Sequence, residues 1–182
     1  MAKIFIGGSR AVSRLNAAIR EQLDNLVNHN CTILIGDANG SDKAVQSYFA
    51  ERGYRNVLVF CMHECRNNVG AWPVRGVTSK SSQKNFEYYS TKDRAMAENA
   101  NCGLMLWDGK SKGTLANMFR LLTATKKVLV YFSPEKAFHK LSTVADLRVL
   151  LQHCDKRDLD RATRELGLTP TLEVRQIAMH SS

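Results

Sequence analysis

Apolar residues in this chain fall into short runs separated by stretches of helical period. Residues 3–7 (KIFIG), 31–36 (CTILIG), 56–61 (NVLVFC), 103–107 (GLMLW) and 127–132 (KVLVYF) are the runs. Their length, and the Gly, Asp and Pro residues around them, predict buried strands. Between the first two, Leu15, Ile19, Leu23, Leu26 and Val27 recur at helical spacing up to about His29, with Ser13 as the expected N-cap. A second helix is predicted from about Ser41 to Arg52, with Ala44, Val45, Tyr48 and Phe49 facing inward. A third is predicted from about Ser82 to Asn99 and a fourth from about Thr114 to Ala124. Residues 62–81 show neither period and contain Gly70, Trp72, Pro73 and Gly76. A loop of that length inside a compact domain is more often functional than idle.

Strands alternating with helices predict βαβ units, and therefore an α/β three-layer sandwich with a central, mainly parallel sheet of about five strands. Right-handed crossovers then bring every strand C-terminus to one edge, where ligands of such folds bind. After Pro134 the pattern changes. Residues 143–153 and 155–167 predict two short helices, the first carrying Val144, Leu147, Leu150 and Leu151, and residues 171–179 predict a strand or a further helix. The expected organisation is a ligand-binding domain over 1–134 and a C-terminal helical appendage over 135–182. That appendage packs on the domain or serves oligomerisation, a homodimer being the expected form.

Composition narrows the class. A chain of 182 residues accommodates one domain with a sizeable core. No apolar run approaches the roughly 18 residues of a membrane span, and the N-terminus reads as a strand rather than a signal peptide. Five cysteines at irregular spacing, three of them at or beside buried strands, point to free thiols in a reducing cytoplasm. The tightest cluster, CMHEC, offers Cys61, His63 and Cys65 as metal ligands. A closed zinc site needs about four ligands and no second pair is visible, so neither metal nor cofactor is expected. The net charge of +9 favours an anionic partner, either a phosphorylated small molecule or a nucleic acid. The positive charges are spread along the chain, so a solvated surface is the competing reading.

Chemistry concentrates at the strand ends. Gly7-Gly8-Ser9-Arg10 follows the first strand; its glycines permit close backbone approach and Arg10 offers a bidentate contact to phosphate or carboxylate. Gly36-Asp37-Ala38-Asn39-Gly40-Ser41-Asp42 follows the second, with Ser41 or Asp42 as a helix cap. Asp108-Gly109-Lys110-Ser111-Lys112-Gly113-Thr114 follows the fourth, and its amides and hydroxyls make a phosphate cradle. Its residue order is not that of a Walker A loop, so nucleoside triphosphate hydrolysis is not implied. Each turn alone has a purely structural reading as a capped or tight connection.

Taken together, IGGSR, GDANGSD, the charged helix KDRAMAENA and DGKSKGTLANM resemble the SLOG superfamily, a Rossmann-like group. It includes YspA-like proteins, the LOG (lysine-decarboxylase-like) enzymes and the DNA-processing protein DprA. The resemblance covers residues 3–132 and is strongest to the YspA-like branch. That branch has a Gly-Ser-Arg first turn and a Gly-Gly-Ala-x-Gly-x-Asp second turn, whose second glycine is Asp37 here. It implies a nucleotide or nucleotide-derived ligand at the C-terminal edge of the sheet. Lys92 and Asp93 occupy a place that resembles polar site residues of the same branch, although a solvated helix face is the plainer account of them.

One departure bears on activity. LOG enzymes and similarly folded deoxyribosyltransferases carry Gly-Thr-x-x-Glu, whose carboxylate works at the N-glycosidic bond; here Gly113-Thr114 is followed by Asn117. An amide cannot replace a carboxylate as nucleophile or general base. Either Asp37, Asp42, Glu87 or Asp93 substitutes, giving an N-glycosidase, or the domain binds without turnover as a sensor or carrier. A third reading is DprA-like nucleic-acid binding. Trp72 is a candidate to stack on a base and Arg75 to meet a phosphate, against a structural role as loop anchor.

Overall fold

The computed structural model describes residues 1–80 and 83–168. The expected start of the third helix at Ser82 and the expected element at 171–179 therefore lie outside the described residues. In chain order the elements are β1 (Lys3–Gly8), α1 (Ala17–Asn28), β2 (Thr32–Ile35), α2 (Ser41–Glu51), β3 (Val57–Cys61), β4 (Val74–Gly76) and α3 (Phe86–Asn99). They continue with β5 (Cys102–Trp107), α4 (Lys112–Thr123), β6 (Val128–Phe132), β7 (Ala137–Leu141), α5 (Val144–Leu151) and α6 (Lys156–Leu166).

The strands form one sheet in the order β4-β3-β2-β1-β5-β6-β7, parallel throughout except for β7, which runs antiparallel to β6. Among the described residues the sheet thus has seven strands, not about five. Both additions sit at its edges. The fold is α/β and Rossmann-like, with helices on both faces of the sheet.

Strand alternation sorts the core into two halves. Ile4 and Ile6 of β1, Ile33 and Ile35 of β2 and Leu104 and Leu106 of β5 pack with Ile19 and Leu23 of α1 and Val45 and Phe49 of α2. Phe5, Leu34, Met105 and Trp107 point the other way, onto Met96 of α3 and Leu115, Met118 and Leu121 of α4. Both faces are apolar because both are covered, which is why these strands read as unbroken apolar runs. Beyond Pro134, β7 adds to the sheet edge, α5 packs against it, and both α5 and α6 lie on α4.

Helix starts differ from expectation in instructive ways. The side chain of Asn16, not Ser13, caps α1 by accepting from the Ile19 amide at 2.9 Å. Gly40 occupies the N-cap of α2 with φ +86°, so neither Ser41 nor Asp42 caps it. Their side chains are thereby left for other work.

Candidate functional site

After β1 the chain moves to one side of the sheet, through β2 to β4, and β5 to β7 lie on the other. The crevice between β1 and β5 is therefore the switch point at which open α/β sheets bind ligands. A cavity of about 620 Å³ opens there, against the C-terminal ends of both strands.

The two strand-end turns are stitched together across it. The Ser9 amide donates to the Leu106 carbonyl at 2.8 Å, and the Ser9 hydroxyl to Asp108 Oδ1 at 2.8 Å. The same Asp108 oxygen accepts from the amides of Lys110 and Ser111, folding residues 108–111 into a tight turn. Ser111 then caps α4 by accepting from the Thr114 amide at 3.4 Å. Gly113, in the first turn of α4, lies on the cavity wall, and a Cβ added there meets nothing closer than Phe86 at 3.9 Å. Gly8 is the opposite case: a Cβ would sit 2.5 Å from the Leu106 carbonyl oxygen and 2.8 Å from Ser41 Oγ. Glycine at position 8 is thus required by the close approach of β5 and of the start of α2 to β1.

Of the expected site residues, Gly8, Ser9, Arg10, Asp42, Lys92 and Asp93 reach the cavity. So do Asp108, Ser111, Lys112, Gly113, Thr114 and Asn117. Gly36, Gly40, Ser41 and Gly109 stand behind the wall. A Cβ on Gly36 would meet the Asp42 carboxylate at 2.6 Å and Lys92 Nζ at 3.1 Å, and one on Gly40 the backbone of Arg10 at 2.5 Å. Gly109 packs on Phe132 with φ +77°. The Ser41 hydroxyl is buried and has no hydrogen-bond partner among the described residues.

Four expected residues lie elsewhere. Trp72 is buried in the core, its indole N–H donating to the Tyr54 carbonyl at 2.8 Å, so it anchors its loop and does not face the cavity. Arg75 lies on the edge strand β4, over the Phe60 ring and bonded to Asn99. Glu87 is exposed on α3 and paired with Arg94 at 2.6 Å. Asp37 is buried but turned away from the main cavity. Its oxygens accept from Lys92 Nζ at 2.5 Å, from Arg66 Nη2 at 2.8 Å and from the Arg66 amide at 3.0 Å. Burial pushes its pKa upward, but the Arg66 hydrogen bonds and the Lys92 charge outweigh that and hold it well below the usual carboxylate range.

Asp42 and Asp93 have the reverse environment. Burial pushes Asp42 up to about 6 despite the nearby Lys92 charge, with Asp93 adding repulsion. Asp93 is raised for the same leading reason, and accepts from Asn117 Nδ2 at 3.2 Å. Asn117 in turn accepts from Arg120 Nη1 at 2.7 Å, so the amide is held by a carboxylate on one side and a guanidinium on the other.

Sequence reasoning missed the far wall. Arg66, Lys84, Asn85, Phe86, Tyr89 and Ser90 line the cavity opposite the strand ends. Phe86, Tyr89, Ser90 and Asp93 follow one another at i, i+3, i+4 and i+7, so their shared face on α3 was readable as a helical stripe. The Phe86 ring lies under Lys112 and the Tyr89 ring under Arg66. Arg10 and Lys84 have no hydrogen-bond or ion-pair partner among the described residues.

Two of the five cysteines depart from the expected free thiols. Cys61, at the end of β3, is joined to Cys65 by a disulfide with a Cα–Cα distance of 5.2 Å, while Cys31, Cys102 and Cys154 are free. Asp37 lies beside the pair, its carboxylate within 4.8 Å of both sulfurs. His63 turns its ring toward Tyr88 instead.

In fold, the chain is similar to DNA processing protein A (DprA) from Helicobacter pylori. The TM-score is 0.57 at 13% identity, over 91% of this chain and 80% of that one. That protein is described by its single-stranded DNA binding mode. No protein-family model and no curated protein sequence matches the chain. At this identity the similarity establishes the Rossmann-like architecture shared with DprA. Among the described residues no helix is long and apolar enough to cross a membrane.

Proposed function

We propose that the cavity between β1 and β5 binds a nucleotide or nucleotide-derived ligand, as a YspA-like member of the SLOG group acting as a sensor or carrier. The observation that carries this is the pair of cations without partners among the described residues, Arg10 and Lys84, at a cavity whose walls also hold the Phe86 and Tyr89 rings and the first turn of α4. A phosphate group satisfies the cations and the amides of Lys112 and Gly113 in the first turn of α4. Phe86 and Tyr89 offer apolar faces for a base. The test is mass spectrometry of small molecules released from the purified, denatured protein, repeated with Arg10→Ala. A stoichiometric nucleotide that disappears in the variant is the expected result. Absence of nucleotide, together with tight, salt-sensitive binding of single-stranded DNA, would replace this reading with the DprA-like one, which the +9 charge also supports.

A second reading, hydrolysis of an N-glycosidic bond, is favoured by one observation. Asp93 and Asp42, both with raised pKa values, line the same cavity as Asn117. A neutral carboxyl there would protonate the departing base while water attacks the anomeric carbon. Release of free base from nucleoside monophosphates, abolished by Asp93→Asn, is its signature. No base released at high enzyme concentration would leave the binding reading alone.

A further inference from the structure

The loop after β3 carries chemistry that nucleotide binding does not use. Cys61 is fully buried, whereas Cys65 is partly exposed and lines a second cavity of about 390 Å³ with His63, Arg66, Lys84 and Tyr89. Arg66 follows Cys65 directly, and it lines both cavities. Its backbone and guanidinium make three hydrogen bonds to Asp37, so its position depends on the path of residues 62–66.

We propose that Cys61–Cys65 is a reversible redox site, reached by small anionic thiols through the cavity beside Cys65, whose state sets the position of Arg66 and with it ligand affinity in the main cavity. The part that concerns affinity rests on the nucleotide reading. A thiolate attacks the accessible Cys65 sulfur along the S–S axis. The S–S bond breaks and Cys61 leaves with the electron pair, then takes a proton. A second thiol releases Cys65 as a thiol and departs as the disulfide of the reductant. Two electrons and two protons pass to the protein. Arg66 and Lys84 beside Cys65 favour an anionic thiol such as a γ-glutamyl peptide. Once the bridge opens, nothing covalent holds residues 61–65 in a closed ring.

A metal ion is the competing occupant of the same sulfurs. The Asp37 carboxylate, the nearby third donor, is already engaged by Lys92 and Arg66. Two sulfurs alone fall short of the four ligands of a closed zinc site, and the two neighbouring cations would repel the ion.

The experiment uses the full chain in two states, treated with oxidised glutathione or with dithiothreitol. Alkylation after denaturation is expected to label three cysteines in the first state and all five in the second. Hydrogen exchange at the Arg66 amide, which needs no ligand, is expected to speed up on reduction. Affinity for adenosine monophosphate is expected to fall by about tenfold, the scale of one charge-assisted contact. Cys65→Ser should label all four of its cysteines and match the reduced protein in Arg66 exchange and affinity under both treatments. Equal labelling in the two states, unchanged Arg66 exchange, or zinc retained on protected thiols would each overturn the proposal. Absent binding of adenosine monophosphate in both states, with labelling and exchange responding, would refute the nucleotide reading while the redox site stands.

Discussion

Asp37 and Asp42 belong to the same turn and have opposite circumstances. Asp37 faces the loop after β3, where Lys92 and Arg66 meet it at 2.5 and 2.8 Å. Asp42 faces the main cavity, where its hydrogen bond from protein is the Ala38 amide at 3.2 Å. A buried carboxylate supplied with two cations braces the structure. One left short of partners costs stability unless something outside the protein completes it. The contrast separates the part of this edge that holds the fold from the part that, under the proposed function, meets a ligand.

The strongest way to break the contrast is Asp37→Asn. It removes the carboxylate paired with buried Lys92 at 2.5 Å, and loss of one member of a buried ion pair costs about 3–5 kcal/mol. Urea unfolding should show the lowered midpoint; an unchanged midpoint would mean that Asp37 braces nothing.

Asp42→Asn should do the reverse. A carboxyl whose folded pKa lies above its unfolded value binds more protons when folded, so stability falls as pH rises from about 4 to about 6 and then levels off. Removing the charge should raise stability at pH 7 by about 1–3 kcal/mol and flatten that slope. Asp37 has the opposite sign: its contribution is present above the ordinary carboxylate pKa and is lost as pH falls below it. Unfolding curves at several pH values check both, and a wild-type slope retained by Asp42→Asn would contradict the assignment.

The smallest effect concerns Trp72. Trp72→Phe removes the hydrogen bond to Tyr54 and should cost about 1 kcal/mol. Nucleotide affinity should be unaffected, because the ring lies outside the cavity. Calorimetric titration of the variant settles that, and weakened binding would restore a direct role for the indole.

Much of this was legible in the residues. The five inner strands announce themselves because covering both faces of a sheet demands unbroken apolar runs. The edge strands do not. Val74–Gly76 is only three residues long and exposed, and Ala137–Leu141 mixes Phe138 with His139 and Lys140. The strand-end turns were visible as Gly, Ser and Asp clusters, but spacing alone cannot show which side of a turn a side chain takes. Asp37 and Asp42 therefore looked equivalent. The Arg66, Phe86 and Tyr89 wall depends on where a long loop and a helix meet in space. Cys61 and Cys65 stand out as the tightest cysteine cluster, but that spacing suits metal ligands as well as a bridge, and the path of the loop after β3 is what joins the sulfurs.

The edges of the sheet carry a consequence of their own. An open sheet with a long bare flank invites another chain to add a strand, and then another. Among the described residues one flank ends in the three residues of β4, preceded by Pro73 and bearing Arg75, and the other in β7, reversed in direction and bearing Lys140. Both flanks are poor templates for growth, so the fold guards against fibrous self-association at its margins while its innermost strands frame the cavity.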